Sequence, residues 1–357
     1  MEWTKSSSVR EKLFKICPLY TLRPQIALKM ALGGLPLTQC ASWNQDLVCL
    51  PGTRLSVFSV IHEWLRSPGH QRLFLLKGVA GSGKTAIAHS IAQMLYNNDP
   101  SSPTSSFFFA RHTATPSTSH YLFTTIARHI ASWHHAFAAD VGGVLLRDPT
   151  LAWAPISRQF EALICAPLRR NPARRPIFIV IDALDEYISN ESTVTLPILL
   201  GNAVDLPSDL RFFITSRPTK NVEQHLCGKQ HVKSHVIEID SDENHRDIVS
   251  FVVAELRDDH MKSKMGHSEL DEAVIRDLIA MSEGLFVWIA AAFLHLSGVS
   301  NPTQEIELLV STSGLQGCPT INRTMDALCN ALLDACVGDD WHDERFYRNY
   351  QHVIGVI

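Results

Sequence analysis

The sequence predicts an α/β protein: a parallel sheet with helices on both faces, followed by an all-helical unit. Three observations carry this expectation. Short, fully apolar runs alternate with amphipathic stretches between Leu73 and Ile239, the pattern of strands buried on both sides. After Asp240 only helical periodicity remains. The chain, at 357 residues with 45% apolar and 19% charged residues, also holds more buriable material than one core normally organises.

Taken in order, residues 1–50 contain turn-formers (Gly33, Gly34, Pro36) and apolar patches without a sustained period, and read as a poorly defined leader. A helix is expected from Leu55, where Val57, Val60, Ile61, Trp64 and Leu65 recur at helical spacing. Strands are expected at Leu73–Leu76, Ser106–Ala110, Ile177–Ile181, Phe212–Thr215 and Val236–Ile239. Helices are expected near Thr85–Tyr96, Ser119–Phe137, Ile156–Leu168, Thr193–Val204 and Lys220–Leu226. Beyond Asp240 the sets Ile248/Phe251/Val252/Leu256, Leu270/Val274/Leu278/Ile279 and the run Leu285–Leu296 read as helices, with more at Met325–Ala335 and Glu344–Ile357. The expected units are therefore residues 1–50, 51–240 and 241–357.

Composition excludes several function classes. Lys and Arg total 32 against 36 Asp and Glu, a net charge of -4, so no global attraction to nucleic acid or anionic membrane exists. The longest apolar run, Gly284–Leu296, is shorter than the roughly 20 residues a bilayer requires. The first residues lack an apolar signal core, which points to the cytoplasm. Eight cysteines form no C-x-x-C pair, and 17 histidines form no metal-ligand spacing. The arginines of Leu168–Arg175 could meet phosphates but also suit a solvated loop.

The chemistry concentrates in three segments. Gly78-Val79-Ala80-Gly81-Ser82-Gly83-Lys84-Thr85 follows an apolar strand and opens a helix, the arrangement that wraps backbone N–H groups around a phosphate, and with Ala86 it forms the candidate nucleotide-binding segment. Glycines are needed where those N–H groups turn inward, Lys84 supplies a point charge to the β- and γ-phosphates, and the Thr85 hydroxyl reaches Mg²⁺. The strand Ile177–Ile181 then delivers Asp182 toward the same ion, and Asp185 and Glu186 just beyond it are candidates to orient or deprotonate an attacking water. Their alternative role is helix capping. The strand Phe212–Thr215 ends in Ser216-Arg217, whose guanidinium is a candidate to meet the γ-phosphate or else an ordinary surface group.

GVAGSGKT, FIVIDALDEY and FFITSRP, in this order and spacing, resemble the NACHT group of signal-transducing (STAND) P-loop NTPases, and within it the fungal nephrocystin-type branch. The flanking Pro51-Gly52-Thr53-Arg54 and Ser282–Trp288 agree. The resemblance implies ATP or ADP with Mg²⁺, GTP not being excluded, and places Thr53-Arg54 near the base and ribose and Gly284-Leu285-Phe286 facing the nucleotide. It also implies an ADP-closed, ATP-open switch with slow hydrolysis, self-association on activation, an unknown protein ligand or effector, and a place in innate-immunity or self/non-self signalling. Ala183, where motor ATPases carry Glu, favours a switch over a motor. The family continues into a winged helix, and the apolar end Val353–Ile357 reads as leading toward it. The competing expectations are a turnover ATPase or nucleic-acid-dependent motor, and a small-molecule kinase.

Overall fold

The computed structural model describes residues 18–38, 42–67, 70–98, 104–109, 121–186, 195–202, 206–207, 209–265 and 272–313. Among these, the strands β1 (Leu73–Lys77), β2 (Thr104–Phe108), β3 (Ile177–Asp182), β4 (Leu210–Ser216) and β5 (Val232–Val236) form one parallel sheet in the order β2-β3-β4-β1-β5. Alternate residues of each strand enter different cores, as a period of two demands. Leu73, Leu75, Ile179, Ile181, Phe212 and Ile214 join one cluster, while Phe74, Leu76, Phe178, Val180 and Phe213 join another.

The second of these cores is closed by α2 (Leu55–Arg66) and α3 (Lys84–Asn98), through Val57, Ile61, Trp64, Ile87 and Ile91. The first is covered by α4 (Leu122–Trp133), α5 (His135–Arg147), a helix α6 over residues 156–170, α7 (Thr195–Gly201) and α8 (Lys220–Leu226). A third core, containing Ile248, Val252, Leu278, Trp288, Ile289, Phe293 and Ile306, joins α9 (Asp242–Arg257), α10 (Asp259–Met265), α11 (Glu272–Met281), α12 (Phe286–Gly298) and α13 (Pro302–Ser313). The α/β sheet covered on both faces and the helical segment after it match the expected fold class. None of the described helices is long and apolar enough to cross a membrane.

Four local expectations need correction. The leader holds a helix, α1 (Pro18–Gly33), packed so closely on α5 that a Cβ on Gly142 would lie 2.9 Å from Leu28 Cδ2. The single helix expected over Ser119–Phe137 is broken at His134, whose non-helical backbone lets Nδ1 accept the Phe137 N–H and start α5. The fifth strand ends where it was expected to begin, because Val232–Val236 pairs with β1 and Ile237 follows it. Within α6, residues Phe160–Cys165 widen to π geometry just before Pro167, which has no N–H to continue an α ladder, and Ala166 bonds Glu161 O instead. The expected helices at Met325–Ala335 and Glu344–Ile357 and the apolar end lie outside the described residues.

Candidate nucleotide site

The strand order brings three carboxyl ends together. β4 lies between β1 and β3, so the Gly78–Thr85 loop after β1, Thr215-Ser216-Arg217 at the end of β4, and Asp182 at the end of β3 converge on one rim. Such rims, where the strand order reverses, are where open α/β sheets bind ligands.

The loop has the backbone its composition demands. Gly81 and Gly83 take φ of +76° and +89°, left-handed values that side chains resist. A Cβ on Gly78 would meet Ser82 Oγ at 2.6 Å, so the Ser82 hydroxyl folds across the loop's first residue. That Oγ is buried and has no hydrogen-bond partner among the described residues. Lys84 Nζ donates to the Gly78 and Val79 carbonyls at 2.9 and 2.7 Å, drawing the ammonium over the loop. Phosphate oxygens are stronger acceptors for an ammonium than peptide carbonyls. The nest of left-handed glycines, the unsatisfied Ser82 hydroxyl, the ammonium and the N-terminus of the 15-residue α3 together fit a nucleoside polyphosphate.

Asp182 is 2% exposed and held by two hydroxyls. Thr85 Oγ1 donates to Oδ2 at 2.9 Å and Thr215 Oγ1 to Oδ1 at 2.5 Å. Thr215 in turn accepts the Ala183 N–H at 2.9 Å, and Ala183 adopts a left-handed φ of 56° just past the strand. Burial pushes the Asp182 carboxyl above its ordinary range; the two hydroxyl hydrogen bonds and the Lys84 charge pull it back only in part. A buried carboxylate beside a hydroxyl, with one ammonium nearby, fits a hard divalent cation carried by the polyphosphate, with Thr85 and Asp182 as the groups that would hold it.

Asp185 and Arg217 lie together. Asp185 Oδ1 accepts the Arg217 N–H at 2.9 Å and the Ser216 hydroxyl at 3.3 Å, and its Oδ2 lies 3.4 Å from Arg217 Nε. The carboxylate is 7% exposed and serves as an anchor that fixes the exit of β4 and aims the arginine. Glu186 closes the short turn after β3, its N–H bonded to Ala183 O at 2.9 Å, and its side chain is half-buried.

The two family-implied contact regions also reach this loop, by a route the sequence does not display. Arg54 is 4% exposed, and its Nη2 donates to the Ser82 carbonyl at 2.7 Å. Val287 N–H bonds the Gly81 carbonyl at 3.2 Å, and a Cβ on Gly81 would strike Val287 Cγ1 at 2.2 Å. Asp247, Glu243 and Asn244 of α9 complete this side: Asp247 Oδ2 accepts the Arg54 N–H at 3.0 Å, Glu243 Oε1 accepts the Ser56 N–H at 3.0 Å, and Asn244 Nδ2 donates to the Ile239 and Gly284 carbonyls. Sequence reasoning missed these three. Only Ser241, followed by two acids, signals the helix start that presents them.

Residues 55–217 match the family described as nephrocystin 3, N-terminal. The match spans somewhat less than half of the chain, and over that stretch the chain is similar to nephrocystin-type N-terminal domains. Among solved structures, the chain is similar to domain III of the replication initiation protein DnaA of Thermotoga maritima, at 12% identity over 81% of this chain and 98% of that one, with a TM-score of 0.39. It is also similar to the Orc1 protein of Aeropyrum pernix, solved in complex with DNA, at 14% identity over 87% of this chain and 85% of that one, with a TM-score of 0.44. No curated protein matches the chain.

Proposed function

We propose that this protein is a nucleotide-dependent switch of the NACHT type, which binds ATP or ADP with Mg²⁺ and hydrolyses slowly. GTP binding is compatible with the same loop. The observation that carries the reading is the direct seating of α12 on the phosphate loop, Val287 N–H on Gly81 O. A loop that changes shape with its ligand then changes the docking of the helices, which is what a two-state device needs.

In this reading the protein divides into a leader (1–50), a nucleotide-binding unit (51–240) and a helical unit (241–357). Gly78 to Ala86 embrace the phosphates, Lys84 neutralises the β- and γ-oxygens, and Thr85 and Asp182 hold the ion. Mg²⁺ supplies charge neutralisation along the polyphosphate when bound. Arg217, aimed by Asp185, faces the γ-phosphate. Asp185 and Glu186, just beyond the strand tip, are the acids proposed to order a water, Asp185 also engaging the Ser216 hydroxyl and Arg217. We further propose a cytoplasmic protein that self-associates on activation and answers a protein ligand in innate-immunity or self/non-self signalling.

No observation favours the motor alternative. Arg170 makes two bonds to Asp140 at 2.7 and 3.1 Å and Arg169 one to Glu161 at 2.6 Å, so half of the candidate basic patch is spent on neighbouring carboxylates. The test is titration of the full chain and Lys84→Ala with a fluorescent ADP analogue. Loss of one ammonium–phosphate contact should weaken binding about 10- to 100-fold. Unchanged affinity in a folded variant would refute the site. Hydrolysis that DNA or RNA accelerates strongly would refute the switch in favour of the motor.

A further inference from the structure

Arg54 touches three separate parts of the chain at once. Its guanidinium donates to Ser82 O in the loop, lies 4.5 Å over the Phe286 ring at the start of α12, and stands 4.0 Å from Asp247 Oδ2 on α9. Its own backbone is left-handed, at φ 59° and ψ 28°, and is pinned there by the N–H bond to Asp247 at 3.0 Å. Burial opposes the guanidinium charge and the Asp247 carboxylate supports it. A cation this buried persists only where its hydrogen-bonding and charge partners are all in place.

The position of its bond to the loop matters. A trans peptide is planar, so its C=O and N–H point in opposite directions. By holding the Ser82 carbonyl outward, Arg54 fixes the Gly83 N–H toward the opposite, inner side of the loop. The adjacent peptide is held in the same way: Val287 N–H takes the Gly81 carbonyl, and the Ser82 N–H turns toward Val79 O at 3.3 Å. Val287 lies in the first turn of α12, whose N-cap residue Leu285 offers no side-chain cap. The Gly81 carbonyl thus satisfies one of the N–H groups that a helix start leaves unpaired. The loop caps the helix, and the helix and Arg54 together set the loop.

We propose that Arg54 is a positioning residue that makes phosphate-loop geometry and docking of α9 and α12 one cooperative unit, so that the helices read loop occupancy through it. This rests on the nucleotide-binding reading of the loop, but assigns Arg54 to the loop backbone instead of the base and ribose. A ligand that draws the Ser82 or Gly81 peptide toward itself acts on the Arg54 bond and the α12 cap together.

The experiment is amide hydrogen exchange on the full chain, with and without a fluorescent ADP analogue, for wild type, Arg54→Met, Arg54→Lys and Phe286→Leu. In wild type, ligand should change exchange in both 78–86 and 285–292. In Arg54→Met the second response should vanish, and analogue affinity should fall about tenfold, the worth of one charge-assisted hydrogen bond. Lysine, which lacks the forked guanidinium, should not restore the response. Phe286→Leu keeps the Ser82 bond and should lose only part of the response, which covers the case in which Arg54→Met fails to fold. A purely structural Arg54 would lower the melting temperature and leave the ligand-linked change at 285–292 intact, and that result would overturn the proposal. If wild type binds no nucleotide, the reading of the site fails separately. The ligand-free samples then decide: Arg54→Met should speed exchange at 285–289 about tenfold relative to β3, and equal rates would overturn it.

Discussion

Alanine at Gly81 would be opposed twice, and the two oppositions can be separated. The backbone there sits at φ +76°, where a Cβ costs about 1–2 kcal/mol against its own carbonyl. The added methyl would also lie 2.2 Å from Val287 Cγ1 and 3.1 Å from Val287 Cβ. Val287 is β-branched and helical, so it holds one rotamer and cannot swing aside cheaply; forced overpacking of this kind costs about 1–3 kcal/mol. Gly81→Ala should therefore destabilise by about 2–5 kcal/mol in urea unfolding. Val287→Ala alone removes two methyl-sized groups and should cost about 1.6 kcal/mol. In the double variant the 2.2 Å clash with Cγ1 is gone, and the backbone cost and the tight 3.1 Å approach to the retained Cβ remain, so the pair should be more stable than the sum of the singles by about 1–3 kcal/mol. Strict additivity would show that α12 does not rest on the phosphate loop, and the switch reading would lose its basis.

Asp182→Asn should leave metal-free binding of an ADP analogue within about threefold while abolishing the gain from Mg²⁺, because the amide keeps hydrogen-bonding capacity toward Thr85 and Thr215 but not the charge; titrations with and without EDTA decide it. Arg211→Met should lower the urea midpoint by about 3 kcal/mol equivalent and spare nucleotide affinity, since a buried cation is lost from the end of α2. Its Nη1 donates to the Trp64 and Leu65 carbonyls at 2.9 and 3.4 Å, and Nη2 to Ser67. His89 makes stability pH-dependent: burial lowers its pKa from 6.5 to about 4, and Nδ1 accepts the Asn44 N–H. The unfolded chain binds that proton first, so stability should fall as pH drops from 6.5 toward 4 and level off below. Burial also lowers His129 and His235, which add slope of the same sign, so the readout is the difference between wild type and His89→Gln across that window.

What the sequence discloses depends on how local the cause is. The Gly78–Thr85 loop and the strand ending in Asp182 are contiguous, and their chemistry is written in adjacent letters. The fifth strand was displaced in the reading because VKSHV carries three polar residues in a row, Ser234 exposed and Lys233 and His235 half-buried, whereas the apolar stretch after it looked more strand-like. Among the described residues it is the edge of the sheet and pairs only with β1, and an edge tolerates Lys233, Ser234 and His235 where a central strand would not. The break at His134 carries no glycine or proline, since an imidazole nitrogen does the capping there.

The same distinction runs through the site itself. Arg54 and Asp247 are separated by 193 residues, and no periodicity in either segment encodes their meeting. Thr215 was visible only as one of two hydroxyls at a strand end, yet it organises the acidic side of the site. The reason is the strand order. With β4 inserted between β1 and β3, Thr215 pairs with Leu76 next to the loop and its hydroxyl bridges Ala183 N–H to Asp182. A carboxylate so deeply buried would otherwise have Thr85 alone as a hydroxyl donor, and the loss of either hydroxyl leaves an oxygen facing the core. Thr215→Val should therefore raise the Asp182 pKa further and weaken Mg²⁺-dependent binding without touching any residue of the phosphate loop. An unchanged Mg²⁺ dependence in that variant would mean that Asp182 is held by burial alone and that β4 contributes only its arginine.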